Sequence, residues 1–160
     1  MIKVGDKIPA NLSLYVMDSG KPNKLSTEAL FKSKRTVLFA VPGAFTPTCS
    51  ELHLPGYLSC LYDFREKGVN QVACVSVNDV FVMNAWAKAN NIVDEITMLA
   101  DGNADFTKAL GLEIDMSKFG LGLRSIRYAM VIDDMVVTML KAEQGGELNV
   151  SKAEVVLEAL

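Results

Sequence analysis

Hydrophobic positions along this chain follow two different periods. Thr36-Val37-Leu38-Phe39-Ala40-Val41 and Gln71-Val72-Ala73-Cys74-Val75-Ser76-Val77 are near-continuous apolar runs, the pattern of strands covered on both faces. Leu12 to Val16 alternates enough for a strand, and Ile96 to Leu99 is a shorter one. Ile126 to Ile132 and Met135 to Leu140 flank Asp133-Asp134 as a hairpin. Helical spacing appears in Asp79 to Asn90, with Val82, Trp86 and Ala89 on one face, and in the stripe Ala153, Val156, Leu157 and Leu160. The second of these opens on Ser151-Lys152-Ala153-Glu154, the spacing of a capping box. Ser26 to Phe31 predicts a short capped helix. Ser50 to Lys67 predicts a longer one, kinked at Pro55 and stopped at Gly68. The order is β, α and β in alternation, then ββα, which predicts an α/β protein with a central mixed sheet flanked by helices.

Composition narrows this picture. The 160 residues are 50% hydrophobic and 22% charged, enough for one domain over residues 1–160 with a full core. A net charge of −3 without a lysine-arginine run argues against a nucleic-acid surface. No apolar stretch approaches the roughly 18 residues of a membrane span. The first residues carry Asp6 and no signal-type apolar core, which points to a cytoplasmic protein, or to an organelle after removal of a transit peptide. Three cysteines, Cys49, Cys60 and Cys74, have neither disulfide-framework nor zinc spacing, so a reducing compartment is expected.

The chemistry concentrates in Pro42-Gly43-Ala44-Phe45-Thr46-Pro47-Thr48-Cys49, where the first apolar run meets a helix. Thr48 and Glu51 have capping-box spacing, which makes Thr48 the predicted N-cap and Cys49 the first helical residue. A thiol there faces unpaired backbone N–H groups and the positive end of the helix dipole. Both favour the thiolate, the nucleophilic form. His53 shares the helix face of Cys49 and could tune the thiol, but it is read as a structural or solvent-facing histidine. Cys60 lies 11 residues past Cys49 on the predicted helix, roughly 16 Å along its axis and beyond bonding reach. Cys74 lies in a predicted core strand, from which it could reach Cys49 only by local unfolding. Cys60, Cys74, Trp86 and the methionines Met83, Met98, Met130 and Met139 are expected to pack.

The segment Val41 to Ser50, followed by His53-Leu54-Pro55-Gly56, resembles the type II peroxiredoxins, the peroxiredoxin-5 class. Val75-Ser76-Val77-Asn78-Asp79, Ala100-Asp101-Gly102, Ala109-Leu110-Gly111-Leu112 and Gly122-Leu123-Arg124-Ser125-Ile126-Arg127-Tyr128 extend the likeness over essentially the whole chain. The resemblance implies a thioredoxin-like fold and a thiol peroxidase acting on hydrogen peroxide and alkyl hydroperoxides, without metal or organic cofactor. It implies that Cys49 is the peroxidatic cysteine, that Thr46 hydrogen-bonds thiolate and peroxide, and that Pro42 shields the thiolate. Arg127 would donate to both, with Arg124 a second candidate, and the backbone around Thr48 would support the leaving oxygen. No cysteine follows Cys74, so the chain is similar to one-cysteine members recycled by an external thiol, glutathione with glutaredoxin or thioredoxin. Likeness to the class also implies a homodimer paired near the active site, and Phe45, Leu121 and Leu123 are apolar residues in predicted loops. A disulfide reductase is disfavoured because there is no Cys-x-x-Cys. A redox-sensing binding module is the rival from another class.

Overall fold

In the computed structural model, which describes residues 1–160, the strands form one mixed seven-stranded sheet and one small hairpin. The strands are β1 (Ser13–Asp18), β2 (Lys21–Ser26), β3 (Arg35–Ala40), β4 (Gln71–Ser76), β5 (Thr97–Ala100), β6 (Glu113–Asp115), β7 (Leu123–Ser125), β8 (Tyr128–Asp133) and β9 (Val136–Ala142). The helices are α1 (Thr27–Phe31), α2 (Leu54–Ser59), α3 (Leu61–Glu66), α4 (Val80–Ala89), α5 (Asp105–Ala109) and α6 (Ala153–Glu158). The large sheet runs β2-β1-β5-β4-β3-β8-β9, and β6 pairs with β7 apart from it. The centre is parallel, β3 with β4 and β4 with β5, while β8 joins β3 antiparallel. This is the expected α/β, thioredoxin-like arrangement.

The two near-continuous apolar runs became β3 and β4, at the middle of the sheet. Alternate residues of β3 enter opposite layers. Val37 and Phe39 pack with Cys74, Tyr57, Phe64, Met83, Trp86 and Val156 on one face. Leu38 and Ala40 pack with Val75, Phe31, Phe106 and Met130 on the other. Both faces are covered, so neither strand needs polar alternation. At the hairpin, Asp134 and Met135 both adopt positive φ, 46° and 74°, as a two-residue turn matching strand twist requires. The turn therefore sits one residue later than Asp133-Asp134.

Several expectations need correction. Residues 47–59 are continuously helical, so the helix starts at Pro47 and not at Cys49. Proline's fixed φ and missing N–H suit the first helical position. Thr48 is already helical (φ −62°, ψ −38°) and makes no side-chain cap bond. The second box also fails: the Ser151 hydroxyl donates to Glu143 and leaves Lys152 as an uncapped start for α6. Pro55 does not break its helix. A π-helical turn over Cys49–His53, closed by Leu54 N–H donating to the Cys49 carbonyl, precedes it and relieves the clash of its ring with the backbone one turn earlier. The break falls at Cys60 (φ −100°, ψ 4°). In α4 the buried face is Val80, Met83, Trp86 and Ala87; Val82 is only half-buried and Ala89 is exposed. Strand β2 was not anticipated, because Lys21-Pro22-Asn23-Lys24-Leu25-Ser26 is a polar, exposed edge without a strand pattern. Met98 and Met139 are only partly buried, whereas Met83 and Met130 are in the core.

Candidate active site

The site is assembled where β3 ends. Val41 N–H donates to the Val75 carbonyl, and Pro42, having no N–H, ends the ladder. The loop that follows is tied to the segment after β4. Asn78 Oδ1 accepts from Ala44 N–H at 3.0 Å and from Ser76 Oγ at 2.6 Å, and Ser76 Oγ also lies 3.1 Å from the Val41 carbonyl. At Gly43 a Cβ would lie 3.2 Å from Thr46 Cγ2 and 3.3 Å from Arg124 Nη1, so close packing of the loop favours glycine. Phe45 takes a left-handed backbone (φ 65°), a strained conformation for this residue. The turn delivers the chain to Pro47 with Cys49 in the first helical turn. Ser50, the next residue, accepts a 2.9 Å bond from the buried indole of Trp86, which ties this turn to α4.

Cys49 is fully buried, and its Sγ lies 3.2 Å from Arg127 Nη2. Arg127, immediately before β8, is itself buried at 3% exposure and has no carboxylate partner. Its cation therefore faces sulfur and not a salt bridge. Arg127 Nη1 lies 2.9 Å from His53 Nδ1, and His53 Nε2 lies 3.1 Å from the Ser151 carbonyl. A guanidinium only donates and a carbonyl only accepts, so the ring must be neutral with its proton on Nε2. Burial first, and the Arg127 charge second, depress the His53 pKa to about 3. His53 is thus structural but not solvent-facing, at 1% exposure. Its ring packs against Phe39 and Tyr57, which stack on each other with centroids 3.9 Å apart. The Tyr57 hydroxyl donates to the same Ser151 carbonyl at 2.8 Å.

The remaining expected residues fall into two groups. Pro42 and Thr46 lie half-buried in the loop, and the Thr46 hydroxyl donates to the Gly43 carbonyl at 2.7 Å. Its proton is spent there, leaving its lone pairs to accept. Thr48 is half-buried in the first helical turn. Arg124 does not reach the sulfur: Nε donates to Leu121, and Nη1 to Val77 at 3.1 Å and Pro42 at 3.5 Å, all carbonyls. It clamps the Pro42 loop to two others. Two buried groups have no partner, Arg127 Nε and the Tyr128 hydroxyl. The other two thiols differ from Cys49 in surroundings. Burial drives the Cys74 pKa well up, with the nearby Cys49 adding to it and Arg127 opposing. Burial, then Glu154 and Asp63, raise that of Cys60. Both stay protonated at neutral pH, and all three cysteines are free.

Sequence reasoning missed Ser151, Glu143 and Tyr57 as members of the site, and Ser76 and Asn78 as its scaffold. Only the last two carried a signal, in Val75-Ser76-Val77-Asn78-Asp79. Ser151 contributes a backbone carbonyl, which no side-chain pattern encodes.

Chemically, a sulfur 3.2 Å from a guanidinium in the first turn of a 13-residue helical stretch meets a permanent cation and the positive end of the helix dipole. The Redoxin family matches residues 3–157 of the chain. The chain is 49% identical to peroxiredoxin-2E, chloroplastic, of Arabidopsis thaliana over 99% of its own length and 69% of that protein. Among solved structures it is similar to reduced Prx3 of Vibrio vulnificus in complex with hydrogen peroxide. The TM-score is 0.94 at 52% identity, covering 99% of each chain. Peroxiredoxin 5 of Alvinella pompejana matches at TM-score 0.87 and 38% identity, over 99% of this chain and 97% of that one.

Proposed function

This chain belongs to the Redoxin family as a type II peroxiredoxin, a thiol-dependent peroxidase, and from that premise we propose that Cys49 is its peroxidatic cysteine and Arg127 the group that activates it. The observation that carries the assignment is the 3.2 Å contact between Cys49 Sγ and Arg127 Nη2, buried and free of competing carboxylates.

The proposed reaction proceeds in balanced steps. The Cys49 thiolate attacks one oxygen of the peroxide, an S–O bond forms and the O–O bond breaks. Sulfur gives up two electrons and becomes sulfenic acid; the departing oxygen takes a proton and leaves as water or alcohol. Arg127 Nη2 holds the thiolate, and Nε, the unpaired donor of the same guanidinium, is available to a peroxide oxygen. Because the Thr46 proton is committed to Gly43, Thr46 Oγ1 serves as an acceptor for the peroxide O–H. Backbone N–H groups at Thr48 and Cys49 face the oxygen on which charge develops. Pro42 covers the sulfur, and Arg124 fixes the Pro42 loop without touching the reacting atoms. Hydrogen peroxide and small alkyl hydroperoxides are the proposed substrates. A molecule of that size needs no large cavity. The groove of about 330 Å³ between β1, α4 and β5 includes neither Cys49 nor Arg127 among its lining residues.

The proposed reductant is an external thiol, glutathione with glutaredoxin or thioredoxin. One thiol displaces water from the sulfenic acid to give a mixed disulfide, and a second releases the Cys49 thiolate. The high pKa of Cys60 and Cys74 and their burial support this over an internal partner. The spacing of the three cysteines, without a disulfide framework, supports a reducing compartment, the cytoplasm or an organelle. A homodimer is supported by the exposure of Phe45 (54%) and Leu123 (36%) beside the site loops. The test is peroxide consumption with glutathione–glutaredoxin and with thioredoxin run side by side. Many turnovers per chain with at least one donor, lost in Cys49→Ser, fit the proposal. One stoichiometric event per chain would instead fit a sensor.

A further inference from the structure

The contacts around Arg127 close into a ring that includes residues beyond the reacting pair. At its main chain, the Arg127 carbonyl accepts from Glu143 N–H at 2.9 Å, which extends the β8–β9 ladder by one pair. At its side chain, Nη1 is fixed by His53, and His53 by the Ser151 carbonyl. Ser151 in turn is fixed by Glu143, whose Oε1 accepts from Ser151 N–H at 2.8 Å, from Ser151 Oγ at 2.9 Å and from Asn149 N–H at 2.7 Å. Glu143 thus bonds the Arg127 main chain directly and reaches its guanidinium through Ser151 and His53. It is buried at 7% exposure and pairs with no cation. Burial raises its pKa, but the three donors outweigh burial and hold it below the usual carboxylate range. A buried carboxylate spent on three bonds within its own loop stabilises little by charge pairing. What it does is fix the 143–151 loop, and with it the direction of one carbonyl.

We propose that Glu143 is a positioning residue for Arg127, acting through Ser151 and His53, so that order in the 143–151 loop sets how firmly the guanidinium is held against the Cys49 sulfur. The proposal rests on Cys49 being the reactive thiol. If the Ser151 carbonyl swings away, the His53 ring loses the acceptor that fixes its tautomer. Nδ1 is then no longer held as an acceptor, and Arg127 Nη1 loses its partner. The guanidinium can rotate about its long side chain, and the thiolate loses a fixed cation. Tyr57, donating to the same carbonyl, reinforces the arrangement from α2.

The test reads Cys49 without peroxide, on a Cys60→Ser/Cys74→Ser background. Alkylation by iodoacetamide at pH 6 measures the thiolate available. Nitrogen NMR of His53, the single histidine of the chain, reports its tautomer. Glu143→Ala should slow alkylation about tenfold and should mix the ring tautomers. Glu143→Gln, whose amide oxygen can still accept from the Ser151 and Asn149 N–H groups, should restore the rate to within about threefold. Should Glu143→Ala not fold, Ser151→Ala removes only the hydroxyl donor and should slow alkylation severalfold. A folded Glu143→Ala protein with unchanged alkylation and a single Nε2–H tautomer overturns the proposal. So does an unaffected Ser151→Ala if Glu143→Ala is unfolded. Because no peroxide enters, positioning can fail while the peroxidase assignment stands. Peroxide turnover surviving Cys49→Ser would instead remove the premise, Cys49 as the reactive thiol, whatever the alkylation result.

Discussion

Between pH 7.5 and pH 5, acid should destabilise this protein chiefly through one side chain, and replacing His53 should remove most of the effect. In the fold His53 is neutral with a pKa near 3; in the unfolded chain it returns to about 6.5. Between these values the unfolded state binds the extra proton, so stability falls as pH falls and is complete only above about pH 6.5. Inside the window the loss is about 1.4 kcal/mol per pH unit, hence about 2 kcal/mol between pH 7.5 and pH 5. For a chain of this length that corresponds to a melting temperature lower by about 4–8 °C. The range is clean, because no other histidine exists and Glu143, held below 4.5, adds its own loss only at lower pH. Urea unfolding at pH 5.0, 6.0 and 7.5 of the protein and of His53→Gln provides the assay. Gln can still donate to the Ser151 carbonyl and accept from Arg127, so the variant should fold, start somewhat less stable, and show a much flatter pH dependence. Parallel curves for the two proteins would refute the reasoning, since His53 would then titrate in the fold as it does unfolded.

Three further outcomes are expected. Arg127→Gln should lower the rate of peroxide reduction about a hundredfold, roughly 3 kcal/mol, as measured by stopped-flow peroxide consumption; a folded variant at full rate would move the role to another donor. Gly111→Ala should cost about 2 kcal/mol by urea unfolding, because φ is +68° there and the new Cβ would lie 2.9 Å from the Met1 backbone; unchanged stability would mean that Met1 yields without loss. Phe45→Ala or Leu123→Glu should weaken the proposed dimer and slow peroxide attack, read by sedimentation and stopped flow; a fully active monomer at micromolar concentration would defeat the dimer proposal.

The parts of the site that were legible from sequence share a feature: their residue type alone determines what they do. Val37 to Ala40 and Val72 to Val75, short apolar runs with β-branched residues, matched strands buried on both faces. Pro42 could only end one, and a cysteine just past Thr46-Pro47 could only meet a helix start. Reading failed where one residue could serve two partners. Thr48 and Ser151 both stand at capping-box spacing, but Pro47 starts the first helix earlier and Glu143 claims the second hydroxyl. Asp79, with no such competitor, does cap α4 by accepting from Val82 N–H. The π turn before Pro55 leaves no mark in hydrophobic spacing. His53 was ambiguous for the same reason. Its position on the Cys49 face was visible, whereas its burial depends on a carbonyl 98 residues away in the chain.

The account depends most on Cys49 alone performing the chemistry. Rapid mixing of the Cys60→Ser/Cys74→Ser double variant with one equivalent of hydrogen peroxide, followed by dimedone trapping and peptide mass analysis, measures this directly. The account predicts that each chain consumes one peroxide and that the adduct lies on Cys49. A folded double variant that consumes no peroxide, or that carries no adduct at Cys49, would contradict it.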